Sequence, residues 1–202
     1  MPILDSSFSA LLLWAVIGYV AGSIPFGMIL SRVMNLGNLR DIGSGSIGAT
    51  NVLRTGSKPA AALTLLLDGA KGALVVLLAR GLASEDAAQI AALMAMIGHC
   101  YPIWLKFNGG KGVATFLGLA LALSWPVGVG CCLAWLVGAA IFRISSMASL
   151  LSAGVSTFLV IMLGAGPVFL LMVFLTVLIF WRHRSNIARL RAGTEPKIGQ
   201  KT

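Results

Sequence analysis

The stretch Pro59–Ala79, PAAALTLLLDGAKGALVVLLA, decides the fold of this chain. It contains only two charged residues, Asp68 and Lys71. An α-helix crosses the hydrocarbon core of a bilayer with about 20 predominantly apolar residues, so the stretch predicts a membrane-spanning helix. Because residues i and i+3 share a helical face, we expect Asp68 and Lys71 to form an internal pair that holds spans together.

The composition of the whole chain also indicates an integral membrane protein. Of its 202 residues, 58% are hydrophobic and only 10% are charged, and the mean hydropathy is +0.94. In soluble domains about a quarter of the residues are charged, so this composition excludes that class. The net charge of +9 comes from basic residues that lie between the apolar runs. This placement favours cytoplasmic loops and an anion site over nucleic-acid binding.

Two of the other apolar runs contain breaks. Run 8–30 is interrupted at Gly22–Gly27, where Pro25 is expected to kink or locally open the helix. Run 113–142 is too long for one comfortable crossing and is broken at Ser124–Pro126 and at Gly128. The longer run therefore predicts two short spans.

The number of apolar runs predicts the architecture. Residues 1–202 are expected to form a single all-α domain, a polytopic membrane protein with seven transmembrane helices, some of them short. A model of five spans with two re-entrant segments has the same parity and remains the alternative. The runs not yet described are 87–104, 148–164 and 167–181.

The distribution of Lys and Arg predicts the orientation. Cytoplasmic loops carry an excess of these residues. If the N-terminus lies outside and the C-terminus in the cytoplasm, only Arg80 of the fifteen basic residues lies at the outer face. No Lys or Arg precedes Arg32, so the first run lacks the basic start of a signal peptide and is predicted to be a retained span. The segments expected in the cytoplasm are 31–58, 105–112, 143–147 and the C-terminal tail.

A first glycine loop, Gly43–Arg54 (GSGSIGATNVLR), is typical of a phosphate site. Glycines allow backbone N–H groups to approach an anion, and a helix N-terminus adds partial positive charge. If a helix begins near Ala49, Thr50 and Arg54 share one face and add hydroxyl and guanidinium donors. The simpler interpretation of this loop is a tight glycine turn that joins two helices.

A second glycine loop, Phe107–Thr115 (FNGGKGVAT), repeats the pattern and adds Lys111. Two cradles with two cations imply an anion with more than one phosphate, or two phosphorylated substrates. In the tail, His183 and Asn186 are spaced i, i+3 and are expected on one helical face. The glycines expected to cradle phosphate are Gly45, Gly109, Gly110 and Gly112.

Other polar residues have structural interpretations. Four tail arginines are expected to anchor the protein at anionic lipid. His99 is expected to be a packed, hydrogen-bonded histidine, with a catalytic role as the alternative. Glu195 is expected to cap the tail or to pair with its arginines. The four arginines are Arg182, Arg184, Arg189 and Arg191.

The sequence lacks the motifs that are typical of several other classes of enzyme. No Gly-x-Ser-x-Gly elbow is present, and neither histidine is followed by Asp five residues later. No P-loop ends in Gly-Lys-Ser/Thr, since Lys111 is followed by Gly112. The cysteines Cys100, Cys131 and Cys132 lack metal-ligand spacing and are expected to pack in apolar segments. We therefore predict no metal and no cofactor.

Four motifs together resemble one known family. GSGSIGATN…R, DGAKG, GHCYPIWLKFNGGKGVAT and WRHRSNIARLRAGTE follow one another in order over about residues 22–195. They are similar to those of the bacterial acyl-phosphate-dependent glycerol-3-phosphate acyltransferases, the PlsY family. The resemblance implies a seven-helix inner-membrane enzyme whose active site faces the cytoplasm. By motif matching, the site would be formed by Ser44, Thr50, Asn51, Arg54, Lys111, Ser149, His183 and Asn186.

The resemblance also implies the reaction. A fatty acyl group moves from acyl phosphate to the sn-1 hydroxyl of glycerol 3-phosphate, which yields lysophosphatidic acid and phosphate, without metal or acyl carrier. We expect Arg54 and Lys111 to bind the two phosphates. Ser44 and Ser149 would donate hydroxyl hydrogen bonds, while His183 and Asn186 orient the attacking hydroxyl or stabilise the oxyanion. The base is either His183 or the phosphate of a substrate.

Two other classes of function compete with this enzyme. A small transporter of phosphate or phosphorylated organic anions would also have a cationic, glycine-broken membrane site. It predicts polar residues near mid-membrane and two related halves, whereas here the motifs lie at the ends of spans. A structural or assembly protein leaves the glycine and cation loops unexplained.

Overall fold

In the computed structural model, which describes residues 5–200, the regular structure is entirely helical. This confirms the predicted all-α class for the described part of the chain. Three short 3₁₀ turns, Leu39–Asp41, Ile103–Leu105 and Gly166–Val168, lie in connections. The α-helices are α1 Phe8–Gly22, α2 Phe26–Val33, α3 Ala49–Leu53, α4 Lys58–Leu82, α5 Glu85–Cys100, α6 Val113–Leu123, α7 Trp125–Phe142, α8 Ser145–Met162, α9 Phe169–Arg182 and α10 Arg184–Arg191.

The predicted breaks near Pro25 and Ser124 are confirmed and have local causes, whereas the break predicted at Gly128 is wrong, because that residue lies within the continuous helix α7. The first run separates into α1 and α2 at Pro25, which cannot donate a backbone hydrogen bond. The second separates into α6 and α7 at Ser124, and Pro126 lies in the first turn of α7, where its missing N–H has no helical partner to lose. The breaks therefore follow from residue chemistry alone.

The helices form a multi-span membrane protein. Five segments are long and apolar enough to cross a bilayer: Phe8–Val33, Lys58–Leu82, Glu85–Leu105, Trp125–Phe142 and Ser145–Met162. A sixth crossing is formed if α9 and α10, which meet at a bend of 61°, are counted together. Helix α6 is apolar but shorter. The multi-span architecture is confirmed, while the count of seven and the orientation remain predictions.

Small residues set the packing of the central helices. Gly18 and Gly22 of α1 lie directly on Ala91 and Ala95 of α5, where a Cβ on either glycine would clash with the alanine backbone. Small residues spaced four apart allow two helix backbones to approach closely, which strengthens van der Waals contact in lipid. The alanine face of α5 is therefore the centre of the bundle.

The two ends of the bundle differ in their polar groups. At one end, the backbone N–H groups of Asp5 and Ser6 donate to Asp86, and Arg80 pairs with Glu85 at 2.6 Å. The two glycine loops and the tail lie at the other end, where α5 finishes at Cys100. Three of the four motifs thus lie at one end of the molecule, while DGAKG lies in the middle of α4.

Candidate active site

A cavity of about 530 Å³ lies at the end of the bundle that carries the glycine loops. It is lined by the first loop, the start of α6, the start of α8 and the tail. Gly45, Gly109 and Gly110 are not among the lining residues, and their backbone N–H groups donate to carbonyl oxygens of the protein. The predicted site residues that line the cavity are Ser44, Thr50, Asn51, Arg54, Lys111, Gly112, Ser149, His183 and Asn186.

The first loop is braced from within by Asn51. The buried side-chain amide donates to the carbonyl oxygens of Leu39 (2.9 Å) and Ser46 (2.7 Å). Its Oδ1 accepts the backbone N–H of Ser44 at 3.2 Å. Gly45, at φ +64°, adopts the left-handed conformation that this tight loop needs. Asn51 therefore shapes the loop with the same atoms that were expected to contact substrate.

Arg54 follows the short helix α3, which begins at Ala49 as the sequence predicts. Its guanidinium donates to Oδ1 of Asn51 at 3.2 Å, and the side chain is half-buried. Burial lowers the pKa of Arg54 from its ordinary value, but an arginine stays charged at neutral pH. The loop therefore presents a fixed cation to the cavity.

Hydroxyl groups connect the first loop to α8. Thr50 Oγ1 and Ser145 Oγ lie 3.0 Å apart. Ser149, one turn further along α8, donates to the carbonyl oxygen of Ser145 (2.7 Å) and accepts from Trp135 Nε1 (3.2 Å). Ser149 thus has its single hydroxyl proton engaged at 2.7 Å, whereas Ser44 is exposed at the cavity and donates only a long hydrogen bond of 3.5 Å to Asn51 Oδ1.

The second loop ends in an open helix N-terminus. Gly112, at φ +82°, is the residue before α6, and no side chain caps the helix. Among the described residues, the backbone N–H groups of Lys111, Gly112 and Val113 have no hydrogen-bond acceptor. Free N–H groups at a helix N-terminus, together with the helix dipole, favour an anion. This arrangement is the geometry expected of a phosphate cradle.

Lys111 reaches across the cavity to the tail. Its Nζ donates to Oδ1 of Asn186 at 2.6 Å. Burial lowers the pKa of Lys111 to about 8; Glu195 opposes the shift, while Arg189 and Arg54 add to it. A lysine with this pKa is still largely charged at pH 7 and has a strong electrostatic preference for an anion.

Glu195 is a carboxylate inside the cation-rich cavity. Its Oε1 accepts from Asn186 Nδ2 (2.5 Å) and Ser146 Oγ (2.7 Å), and its Oε2 accepts from Arg189 Nε (2.6 Å). Burial opposes its ionisation, but these hydrogen bonds lower the pKa of Glu195 below its ordinary value. Pairing with a tail arginine is confirmed. Its place beside the predicted site residues was missed, because nothing in the local sequence brings Glu195 to Ser146 at the start of α8.

His183 lies at the bend between α9 and α10. The i, i+3 prediction of a shared face assumed one continuous helix, but the helix breaks at His183. Both His183 and Asn186 nevertheless are buried and line the cavity. Nδ1 of His183 donates to the carbonyl oxygen of Ile179 at 2.8 Å, so Nε2 is the acceptor of the neutral ring. Burial lowers the pKa of His183 to about 4.

Two arginines hold the second loop, and sequence reasoning missed both. Arg182 stacks on Tyr101 at 4.9 Å and donates to the carbonyl oxygens of Gly110 (3.1 Å) and Gly109 (3.2 Å). The expectation of a lipid anchor is wrong for Arg182, because its guanidinium is used inside the protein. Arg40 donates to the carbonyl oxygens of Gly45 (3.0 Å) and Asn108, so it links the two loops.

The buried pair expected inside the second span is present. Lys71 Nζ lies 2.7 Å from Asp68 Oδ1 and also contacts His99 Nδ1 at 3.0 Å, so His99 is a packed, hydrogen-bonded histidine as expected. Within residues 5–200 no three His, Cys, Asp or Glu side chains cluster as metal ligands would, and the three cysteines have free thiols.

Comparison with known proteins gives a single family. The family model for glycerol-3-phosphate acyltransferase matches residues 12–193. A curated glycerol-3-phosphate acyltransferase from Ruegeria pomeroyi is 68% identical over 202 residues, all of both chains, and one from Roseobacter denitrificans is 67% identical over 98% of this chain and 99% of its own.

Solved structures agree with these matches. The crystal structure of PlsY (YgiH), described as an integral membrane glycerol 3-phosphate acyltransferase in its glycerol 3-phosphate form, has a TM-score of 0.89 and 35% identity. The lysophosphatidic acid form has a TM-score of 0.83 and 34% identity. Each comparison covers 95% of this chain and 96% of the solved chain.

Proposed function

Because the chain belongs to the glycerol-3-phosphate acyltransferase family, we propose that it transfers a fatty acyl group from acyl phosphate to the sn-1 hydroxyl of glycerol 3-phosphate. The products are lysophosphatidic acid and inorganic phosphate. The observation that carries this proposal is the meeting of Arg54 and Lys111, from two separate glycine loops, at one cavity. Each substrate brings one phosphate, and the cavity offers a cation for each.

The proposed chemistry needs no covalent enzyme intermediate. Acyl phosphate is a mixed anhydride with a good leaving group, so the hydroxyl oxygen can attack the acyl carbon directly. The carbon–oxygen bond to phosphate then breaks, and the hydroxyl proton leaves with a base. Catalysis can therefore consist of positioning two anions and stabilising the charge that develops between them.

The two loops supply different kinds of phosphate donor. The first offers the Arg54 guanidinium and the exposed Ser44 hydroxyl. The second offers the Lys111 ammonium and the open N–H groups at the start of α6. A guanidinium binds phosphate through two parallel hydrogen bonds, whereas an ammonium acts as a point charge. We assign one phosphate to each loop.

The base that accepts the hydroxyl proton is assigned to a substrate phosphate. His183 has a pKa of about 4, which makes it a weak acceptor for an alcohol proton. A phosphate group has a second pKa near 6 and is a stronger base than this ring. We therefore assign proton transfer to a substrate phosphate, and assign His183 Nε2 and Asn186 to orienting the attacking hydroxyl. Near-normal turnover of His183→Ala would support proton transfer to the substrate phosphate, and it would contradict the orienting role of His183.

The donor's acyl chain needs an apolar path out of the cavity. Leu65, Leu117 and Trp135 line the cavity beside its polar residues, and Leu65 is exposed on the outer surface of the bundle. A chain leaving between these side chains would enter membrane lipid. This path gives the donor phosphate and the acyl chain separate environments.

The membrane placement is proposed as the sequence predicts it. The single domain would sit in the inner membrane with seven spans, the N-terminus outside, and the cavity at the cytoplasmic face. With eleven residues, α6 is about 16 Å long and would cross only part of the bilayer. Labelling of single cysteines at Lys58 and Glu85 from each side of sealed vesicles tests this placement, because the two positions should react from opposite sides.

The reaction is tested with purified protein in lipid. We expect phosphate release from acyl phosphate that depends on glycerol 3-phosphate, with an equal amount of lysophosphatidic acid formed. Phosphate release at the same rate with and without glycerol 3-phosphate would contradict acyl transfer to this acceptor. Saturable uptake of a phosphorylated solute without product formation would support the transporter instead.

A further inference from the structure

A buried polar cluster lies beneath the second glycine loop, where Asp68 and His99 also line the cavity, and it has no role in the chemistry described above. Lys71 Nζ donates to Asp68 Oδ1 (2.7 Å), to His99 Nδ1 (3.0 Å) and to the carbonyl oxygen of Ile24 (2.8 Å). Asp68, Lys71 and His99, which we call the buried triad, are each less than one-tenth exposed. An ammonium has three N–H donors, and each has an acceptor here.

Lys71 sets the tautomer and orientation of His99. Since an ammonium can only donate, Nδ1 of His99 must accept, and the neutral ring carries its proton on Nε2. The Nε2 edge of the ring lies directly against Gly110, where a Cβ would clash with it. The carbonyl oxygen of His99 also accepts the N–H of Gly110 at 3.1 Å. The position of Gly110 therefore depends on the His99 ring that Lys71 holds.

The last residue of the second loop is tied to the same cluster. Thr115, fully buried in the first turn of α6, donates its hydroxyl to the carbonyl oxygen of Asp68 at 2.9 Å. Lys111 lies between Gly110 and Thr115 in sequence. Both flanks of Lys111 thus rest on residues of the buried triad.

We propose that the buried triad positions Lys111 to bind substrate phosphate. Asp68, Lys71 and His99 are positioning residues, because their side chains act on Lys111 through the contact of the His99 ring with Gly110. The proposal rests on the phosphate role proposed for Lys111. It also accounts for two charges inside an apolar helix, since ionisable residues are retained within spans chiefly where they serve function.

The test compares the Michaelis constants of both substrates in purified variants. Lys111→Met first identifies the substrate whose phosphate Lys111 binds. Lys71→Met, and the charge-free double variant Asp68→Asn/Lys71→Met, should raise the KM for that same substrate at least about tenfold. The KM for the other substrate and the kcat per folded molecule should change less than about threefold. The double variant leaves no unpaired buried charge, so it guards against a failure to fold.

Arg80→Met is the matched control. Arg80 pairs with Glu85 and donates to the carbonyl oxygens of Ala122 and Leu123, so it ties the same three helices as the buried triad. It lies nine residues beyond Lys71 on α4, which is about 13 Å along the helix and away from the loops. We expect Arg80→Met to lower the thermal midpoint without changing either KM.

The outcomes are distinct. If the triad variants behave like Arg80→Met, with a lower thermal midpoint and both KM values unchanged, the triad is only structural and the proposal is wrong. If Lys111→Met itself leaves both KM values unchanged, the phosphate role of Lys111 has failed instead.

A double-mutant cycle between His99 and Gly110 tests the contact without removing a charge. Gly110→Ala should raise the affected KM at least about tenfold in the wild-type background, because the new methyl group meets the His99 ring. In the His99→Ala background the clash is absent, and the same substitution should have less than about a threefold effect. Equal effects in both backgrounds would contradict the proposed coupling.

Discussion

The two glycine loops have similar sequences but are stabilised in opposite ways. The first is braced from within by Asn51, whose partners Leu39, Ser44 and Ser46 are all nearby in sequence. The second is braced from outside by Arg182, 72 and 73 residues away from the glycines that it contacts. Similar local sequence therefore does not imply similar sensitivity to substitution. A stabilising side chain that lies within the loop motif can be recognised from the sequence, whereas one that is distant in the chain cannot.

The largest effect should follow removal of the second loop's cation. Lys111→Met should lower kcat/KM about 1,000-fold, because a buried charge-assisted contact to phosphate is lost. Steady-state phosphate release measures this. Lys106→Met is the control, since Lys106 is exposed on the preceding turn and should retain near wild-type activity. Equal losses in both variants would mean that general basic charge, and not the cradle, binds substrate.

Removing the internal strut of the first loop should have the next largest effect. Asn51→Ala leaves the carbonyl oxygens of Leu39 and Ser46 without their donor, which should destabilise the loop by about 2 kcal/mol and lower kcat/KM about thirtyfold. Asn38→Ala, just outside the loop, should have little effect on the same assay. Wild-type activity of Asn51→Ala would show that the loop does not depend on this amide.

Removing the external brace of the second loop should have a smaller effect. Arg182→Met should lower kcat/KM about tenfold, because Arg40 still holds Asn108 and the backbone N–H groups of Gly109 and Gly110 still donate to the carbonyl oxygens of Cys100 and His99. The matched control is Arg184→Met, whose guanidinium stacks at 5.0 Å on Trp181, a side chain that is itself exposed. If both arginine variants lose the same activity, a shared lipid-facing role explains them better than a loop brace.

The pH dependence should distinguish the cations of the two loops. Lys111 is charged below its pKa of about 8 and loses its charge as the pH rises through that value. Affinity for phosphate should therefore fall on the alkaline side, with kcat/KM about fivefold lower at pH 9 than at pH 8. Bound phosphate favours the charged form of Lys111. In the pH profile of kcat, the alkaline decline should therefore begin at a higher pH than in the profile of kcat/KM. In Lys111→Arg the alkaline limb should disappear, and its persistence there would assign it to another group.

The smallest effect should follow loss of the contact between the first loop and α8. Thr50→Val removes one exposed hydroxyl pair with Ser145, so kcat/KM should fall only about twofold to threefold. Ser145→Ala should match it, and the double variant should be no worse than either single variant. Additive losses would instead give Thr50 a separate contact with substrate.

Local sequence predicted much of the fold and part of the site. The breaks at Pro25 and Pro126, the start of α3 at Ala49 and the pair Asp68–Lys71 all depend on neighbouring residues, so spacing was sufficient. The bend at His183 was not predicted, because the i, i+3 rule assumes an unbroken helix. The contacts of Glu195 with Ser146 and of Arg182 with the second loop were not predicted, since no local pattern reports contacts made across the bundle.

By itself the sequence determined the membrane class, the approximate helix bounds, the two glycine loops and the family resemblance. Apolar length, proline and glycine act within a few residues, and motifs in order are specific to a family. Only the tertiary structure decided which side chains share the cavity. Lys111 meets Asn186 across 75 residues, and Asn186 then meets Glu195. Such contacts depend on how the helices pack against one another. Packing brings together residues that are far apart in the chain, and no periodic pattern in the sequence indicates which ones will meet.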